Sequence, residues 1–451
     1  MKIILVSAQY IGSISGGGGV HVVELSRELG KLGYDVLVLS MGLGNNKKKE
    51  TIILKDPYNP DKNKRKAKIK VIRFWSKDSH KINSCFEGTK EDEINRLTEF
   101  KEQVIEYLIK NYKNNDDVVV HIHGHFVVPS MAKELRENTK LKIVTSIHTF
   151  ESLSEKAKGK DGAGPKFIKI MENMEEQAIK YSHYLIVRSK KVKEQITKLF
   201  PSTVRKAKVA IISSGVSSVF INHPRLSDRK LKDIMKRYNI KGELIFNLNR
   251  IDPSKGIEYL IKAYPKLYKY LIKKNGKDYK MSLVICGMIE EKNKWYYEKL
   301  SKLISEIKDE NIKESISIHQ NITEEDKIGL FNLARVFVLT SIIEPFGITI
   351  VEALAKDVPV IASGVEGPMD IMGVKKVREP YSVADGGIIV NYDKKSKRSN
   401  NLFEALKYVF EKPEVIEKRV KKGREKTLNK YGWEALVKEK INIYKKVLGE
   451  V

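Results

Sequence analysis

Cysteine is nearly absent: Cys85 and Cys286, far apart, are the two in a chain of 451 residues. That excludes a disulfide framework and fits a reducing compartment, so the reading is cytoplasmic. No run of eighteen apolar residues occurs, so no segment has the length of a membrane-spanning helix. The opening "MKIILVSAQY" has neither a basic stretch before its apolar core nor a cleavage site after it, and reads as a first strand rather than a secretory signal. Acid is in short supply. The chain has 84 Lys+Arg against 57 Asp+Glu, a net charge of +27. Such a field attracts anions: nucleotides, sugar phosphates, nucleic acid or acidic lipid headgroups. Aromatic residues are not interleaved with the basic runs "NNKKKE", "KNKRKAKIK" and "KKSKR", so stacking platforms are missing and no nucleic-acid partner is expected. These runs are expected in loops as a solvated surface. Peripheral association at the inner face of a membrane is the other reading of the charge.

What is there is ample apolar material, 41% of the chain, in more residues than one ordinary α/β domain holds. "MKIILVSAQY" is followed by Gly16–Gly19, an amphipathic stretch through Val20, Val23, Leu25 and Leu29, and the apolar "YDVLVLS". Strand, glycine loop, helix, strand is a parallel βαβ unit. Glycine lets main-chain N–H groups approach a ligand, and the helix start adds unpaired N–H groups and a positive dipole end. An anion cradle is one reading; a flexible connection with no ligand is the other. Further strands follow in "DVVVHIHGHF", "LKIVTSIHTF", "HYLIVRS" and "KVAIISSGV", with a helix over 166–181. The polar "SSVFINHPRLSDRK" reads as a linker, after which the pattern restarts in "GELIFNLNR", "YKMSLVICG", "SISIHQ", "RVFVLTS" and "VPVIAS". The spacing predicts two doubly wound α/β halves with ligands at the carboxyl ends of the strands, in the cleft between the halves. The tail "GWEALVKEKINIYKKVLGEV" is a helix whose Leu436, Ile441, Tyr444 and Leu448 share a face that something must cover.

The segment "SIIEPFGITIVEALAKDVPVIAS" carries the chemistry. Glu344 and Glu352 are eight residues apart, about 80° around one helix, but Pro345 and Gly347 punctuate a turn between them. Glu344 therefore belongs to the loop after "RVFVLT" and Glu352 to the opening turns of the next helix. The amides of Ile348 and Thr349 stand at that helix start as a second anion cradle. Carboxylates beside an anion accept hydrogen bonds from neutral groups such as sugar hydroxyls. Upstream, "NLNRIDPSKGIEYLIKAY" puts Arg250 at a strand end and Lys255 in a turn before a helix. Arginine forks onto two phosphate oxygens and lysine adds a point charge. Singly, each could be a surface residue; together they form an acidic pair, a basic pair and a glycine cradle at strand ends. In "HIHGH", His121, His123 and His125 fall on one face of a strand. Two of them could ligate zinc, though no cysteine or carboxylate partner lies nearby; alternatively His121 is structural and His125 lines a substrate pocket.

On these residues the chain resembles the retaining glycosyltransferases of family four with the GT-B fold. "EPFGITIVEALA" is close to that family's E-x7-E signature, "RIDPSKGIEYLIKA" to its basic donor motif, and "GGVHVVELSREL" to its first glycine turn and helix. "HIHGHF", "TSIHTFES" and "GPMDI" look most like the sucrose-phosphate-synthase branch, related to glycogen synthase. The resemblance implies two Rossmann-like domains facing each other across a cleft: residues 1–216 for the acceptor, 217–428 for the nucleotide sugar, and 429–451 as a helix crossing back to the first. It implies metal-independent hexosyl transfer from a UDP-, ADP- or GDP-sugar to a sugar, glucan or lipid-linked acceptor, without a cofactor. Arg250 and Lys255 would neutralise the diphosphate, Glu352 bind the ribose, Glu344 the donor sugar, and Ile348, Thr349, Gly16 and Gly17 the phosphates. Gly287 in "VICGM" would lie by the base, and His148 near the anomeric centre. His125 and Lys191 would meet the acceptor, Lys191 standing where an arginine is usual. The other readings are a sugar-nucleotide epimerase of the same architecture and an anion-binding protein for RNA or lipid.

Overall fold

The structure, a computed structural model, describes residues 1–14, 17–57, 59, 61–124, 126–158 and 163–450, and of residues 64, 157, 158 and 191 the backbone. Two compact units result: residues 1–219 with 432–451, and residues 220–431.

Strands of the first unit are β1 (Lys2–Ser7), β2 (Asp35–Met41), β3 (Lys49–Lys55), β4 (Lys66–Phe74), β5 (Val118–Gly124), β6 (Lys142–Ile147), β7 (Tyr184–Val187) and β8 (Val209–Ile211). Their order is β3-β4-β2-β1-β5-β6-β7-β8, parallel throughout except that β3 runs antiparallel to β4. The central strands β1, β2, β5 and β6 are near-continuous apolar runs, as burial on both faces requires, while the edge hairpin β3–β4 alternates. The helix Gly17–Lys31 begins inside the glycine run, so Gly17, Gly18 and Gly19 form its first turn rather than a loop before it. Its face of Val22, Leu25 and Leu29 packs with Ile3, Leu5 and Val36. Into the same core goes the helix Trp433–Leu448, burying Trp433, Leu436, Val437, Lys440, Ile443 and Tyr444. The sequence-predicted face through Ile441 and Leu448 is rotated: both are only half-buried, while a lysine is fully enclosed. Once the helix docks against β5 and β6, the needs of that sheet decide which residues are buried.

The basic runs also depart from expectation. The run "KNKRKAKIK" is expected in a loop, yet its second half is β4, where Ala67 and Ile69 point inward between exposed lysines. Alternation, not mean polarity, sets a strand. The last lysine of "NNKKKE" begins β3, and "KKSKR" forms the short 3-10 turn Lys395–Lys397 and the first residue of the helix Arg398–Glu411. The segment read as a linker contains the helix Ser218–Asn222 and leads into Asp228–Arg237.

The second unit holds β9 (Glu243–Leu248), β10 (Met281–Cys286), β11 (Ile316–His319), β12 (Ala334–Leu339), β13 (Val360–Ser363), β14 (Tyr381–Ala384) and β15 (Gly387–Val390) in the order β11-β10-β9-β12-β13-β15-β14, with β14 antiparallel to β15. Leu260, Tyr264 and Leu267 of the helix Ile257–Asn275 pack on Ile245, Leu283 and Ile285. The strand order reverses between β9 and β12 in this unit and between β1 and β5 in the first. Such reversals open a crevice at the strands' carboxyl ends. Among the described residues no helix is long and apolar enough to cross a membrane. Both cysteines are buried, one in each unit.

Candidate active site

In the second unit the loops that leave β9 and β12 flank the reversal. After β9 the chain makes a tight turn: Asp252 accepts from the Ser254 amide at 2.9 Å, Pro253–Lys255 form a 3-10 turn, and Gly256 adopts φ +57° before the helix Ile257–Asn275. A Cβ on Gly256 would stand 2.6 Å from the Thr340 carbonyl. The β12 loop is clasped to this turn: Thr340 Oγ1 donates to the Lys255 carbonyl at 2.8 Å, and the Ile342 amide to the Ser254 carbonyl at 2.7 Å. These fixed backbones bring Lys255 Nζ to 2.9 Å from Glu344 Oε2, both side chains largely out of water. Arg250, half exposed, reaches Asp252 at 3.5 Å and Glu290 at 3.8 Å. Burial alone would push the Asp252 carboxyl up; Arg250, Lys255 and the Ser254 hydrogen bonds outweigh it and hold the carboxyl below the usual range.

Glu344 and Glu352 do not share a helix. Glu344 is in the loop, its carbonyl accepting from the Gly367 amide at 2.8 Å, and Glu352 is the fifth residue of the helix Ile348–Ala355. That helix opens on Gly347 at φ +97°, with no side-chain cap, so the amides of Ile348 and Thr349 head its first turn. A Cβ on Gly347 would lie 3.6 Å from Glu344 Cγ, which places the Glu344 side chain against this helix start. Glu352 is buried and anchored by Lys327 Nζ at 3.0 Å, which also meets Glu324 at 3.0 Å. Burial would lower the Lys327 pKa, but the two carboxylates hold it above the ordinary lysine value. Lys327 was not singled out from the sequence: it lies in "EEDKIGL", where it reads as one more charge on a solvated helix.

Gly287 has a packing reason of its own. A Cβ there would fall 1.6 Å from the Asn249 carbonyl. Its bareness lets the chain after β9 lie against the end of β10, where the Asn249 amide donates to the Cys286 carbonyl at 3.0 Å and the Ile251 amide to the Met288 carbonyl at 2.9 Å. Gly287 thus supports the Arg250 turn directly.

In the first unit His148 follows β6, and its ring packs on the first turn of the glycine helix: a Cβ on Gly18 would be 3.7 Å from His148 Cδ2. Both ring nitrogens are engaged within the protein. The Arg188 guanidinium donates to Nδ1, and Nε2 faces His123 Nδ1 at 3.3 Å. A guanidinium can only donate, so a neutral His148 carries its proton on Nε2 and gives it to His123. His121 bonds Tyr444 Oη at 2.6 Å and Ser146 Oγ at 2.8 Å, which assigns it the structural role. His21 completes the cluster, 5.0 Å from His148 and 4.9 Å from Trp433, ring to ring. Lys440 Nζ stands 5.7 Å over Trp433, fully buried, with no hydrogen-bond partner among the described residues. Burial first, then neighbouring cations, hold His21, His121 and His123 well below their usual pKa and push Lys440 down to about 7. Sequence reading missed His21, Arg188 and Lys440; the period-two histidines were a signal, but their partners come from three distant segments. Gly16 and His125 lie outside the described residues. Gly17 is exposed at the helix start, and Lys191 is the second residue of the helix Lys190–Leu199. Among the described residues no three His, Cys, Asp or Glu side chains are grouped to hold a metal ion.

Two family models match the chain: "Glycosyltransferase Family 4" over residues 15–219 and "Glycosyl transferases group 1" over residues 231–426. A probable sucrose-phosphate synthase of Thermosipho melanesiensis is 25% identical over 453 aligned positions, covering 96% of this chain and 91% of that one. In fold, the sucrose-phosphate synthase of Thermosynechococcus elongatus superposes with a TM-score of 0.72 at 18% identity, covering 100% of both chains. An α,α-trehalose-phosphate synthase (UDP-forming) of Burkholderia xenovorans, solved with glucose 6-phosphate, gives 0.73 at 12% identity, covering 98% of this chain and 100% of that one.

Proposed function

Because the chain belongs to the family 4, group 1 glycosyltransferases and transfers a hexosyl group from a nucleotide sugar, we propose that the transfer retains anomeric configuration and runs on Arg250, Lys255, Glu344 and Glu352. The observation that carries this reading is the Lys255–Glu344 ion pair, clasped between the loops of β9 and β12. A donor diphosphate brings two negative charges that Lys255 and Arg250 can take, exchanging carboxylate partners for phosphate oxygens. Glu344, released from Lys255, then accepts hydroxyl hydrogen bonds from the donor hexose beside the Ile348 and Thr349 amides. Glu352, held in place by Lys327, accepts from the ribose. Breaking the anomeric C–O bond builds negative charge on the departing diphosphate. Each prearranged donor aimed at such charge contributes roughly 3–4 kcal/mol. With two cations and a helix start supplying that stabilisation, the reading needs neither metal nor cofactor.

A sugar phosphate is the acceptor class with most support: the relative above is named a probable sucrose-phosphate synthase, and one neighbour was solved with glucose 6-phosphate. His125 and Lys191 are the residues assigned to the acceptor, with Gly16 and Gly17 assigned to the donor phosphates and His148 to the anomeric centre. The test is a thermal-shift screen of UDP, ADP and GDP, then transfer from the best donor's glucose conjugate to fructose 6-phosphate, glucans and lipid-linked sugars, with product configuration read by NMR. Retained configuration and dependence on acceptor are expected. Inverted product, or interconversion of nucleotide sugars with no acceptor present, would overturn the proposal.

A further inference from the structure

The hairpin β3–β4 leaves one of its faces bare. Pairing of Thr51 with Lys70, Ile53 with Lys68 and Lys55 with Lys66 puts these six residues on one side of the ribbon. The opposite side, Ala67 and Ile69, is covered by the helix Gly17–Lys31, whose Gly30 meets both. On the bare side the cover stops short: the helix Lys90–Tyr112 reaches the Phe74 end, where the Phe74 and Phe100 rings are 6.3 Å apart, and all six residues beyond are exposed, Ile53 by 51%.

Lysines two apart on β4 stand about 7 Å apart on one face, and Lys55 faces Lys66 directly, a like-charge pairing that destabilises a ribbon on its own. The acids in this stretch do not relieve it. Glu50 is on the other face with Arg73, Asp56 is buried with Lys31 at 2.6 Å, and Asp61 accepts from the Asn63 amide at 3.0 Å. Asp35 at the border meets Lys2 at 3.0 Å and Lys70 at 3.8 Å, an exposed pairing of little weight. Lysine on a sheet edge commonly guards against strand addition. That accounts for β3 but not for β4, which is paired on both sides.

We propose that this face docks the protein on a bilayer bearing anionic lipid, with Lys55, Lys66, Lys68 and Lys70 at the headgroup phosphates and Ile53 entering between them. Lysine stems are long enough to keep the ammonium groups at the phosphates while an apolar centre goes deeper. No aromatic side chain lies among the six to stack a base, which separates this surface from a single-strand nucleic-acid platform.

Co-sedimentation of the full chain with vesicles of phosphatidylcholine alone, or with one-third phosphatidylglycerol, tests it at 0.1 M salt. Binding to the anionic vesicles, release at 0.5 M salt and none to neutral vesicles are expected. Each lysine at such a surface is worth about fivefold in partitioning, so K66E/K68E/K70E should lower it by at least about 100-fold. Ile53→Asp should weaken it separately, with donor turnover unchanged in both variants. Wild type staying in solution with anionic vesicles, or the triple variant binding as wild type does, would overturn the proposal. So would charge-dependent capture of an RNA oligomer with no vesicle binding.

Discussion

The crevice of the second unit and the histidine cluster of the first solve opposite electrostatic problems. Around β9 and β12 the named charges are kept and matched: Lys255 with Glu344, Lys327 with Glu352, Arg250 with Asp252 and Glu290. Around β5 and β6 charge is suppressed: three histidines and Lys440 are held toward neutrality by burial, beside the cation Arg188. Matched pairs can be exchanged for a charged ligand at little net cost, because the ligand replaces one partner with another. A neutral cluster cannot trade that way; it offers shape, a fixed tautomer and a penalty for protonation. On the proposed reading, charge handling belongs to the second unit and orientation to the first.

The largest break should come from Lys255→Ala, which on the proposed reading removes a cation from the leaving group: kcat/KM for transfer falls about 100- to 1,000-fold, and the melting temperature falls as well, because Glu344 loses its largely buried partner. Initial rates against donor concentration check this. Glu352→Ala should lower transfer more than tenfold and also leave the buried Lys327 with only the exposed Glu324 as its carboxylate partner. Removing one partner of a buried pair costs roughly 3–5 kcal/mol, so denaturant melts should show the loss, and Lys327→Met/Glu352→Leu should recover most of it. The neutral cluster is sharpened by pH. Lys440 titrates near 7 when folded against a usual 10.5, so the unfolded chain binds the extra proton between those values, and stability rises with pH across that window. The limit is about 1.4 kcal/mol per pH unit. His21, His121 and His123 add a further loss as pH falls below 6.5. Asp252, held below its usual 3.8, stabilises above that value and loses its contribution only as pH falls through the lowered one. Lys440→Met should therefore flatten thermal melts between pH 7 and 10, whereas Asp252→Asn should leave that range unchanged. The smallest effect is expected from a chelator, which should leave transfer rates as they were.

Much of this was legible because local chemistry and global fold agree. Glycine and proline between Glu344 and Glu352 separate loop from helix, and the structure makes the same division. Parallel strands announce themselves as apolar runs, so β1, β2, β5, β6, β9, β10 and β12 could be read directly. β4 could not, since three exposed lysines mask its inward Ala67 and Ile69. Pairings across long separations left no local trace: nothing near Glu352 points to Lys327, and nothing near His123 points to Arg188 or Lys440. Gly287 was read as ligand-facing, whereas the contact that demands a bare Cα there is the carbonyl of Asn249.

The first unit to be synthesised is also the last to be completed. Its sheet is made by Ile211, yet Trp433, Leu436, Val437 and Tyr444, which close its core, follow Val219 by more than 200 residues. At ribosomal speeds that gap lasts roughly 10–40 s. During translation, the nascent N-terminal layer must wait with an open apolar side while the whole second unit emerges and folds. A ribosome stalled before codon 433 would therefore release a chain with an intact second unit and an unfinished first one, prone to capture by chaperones.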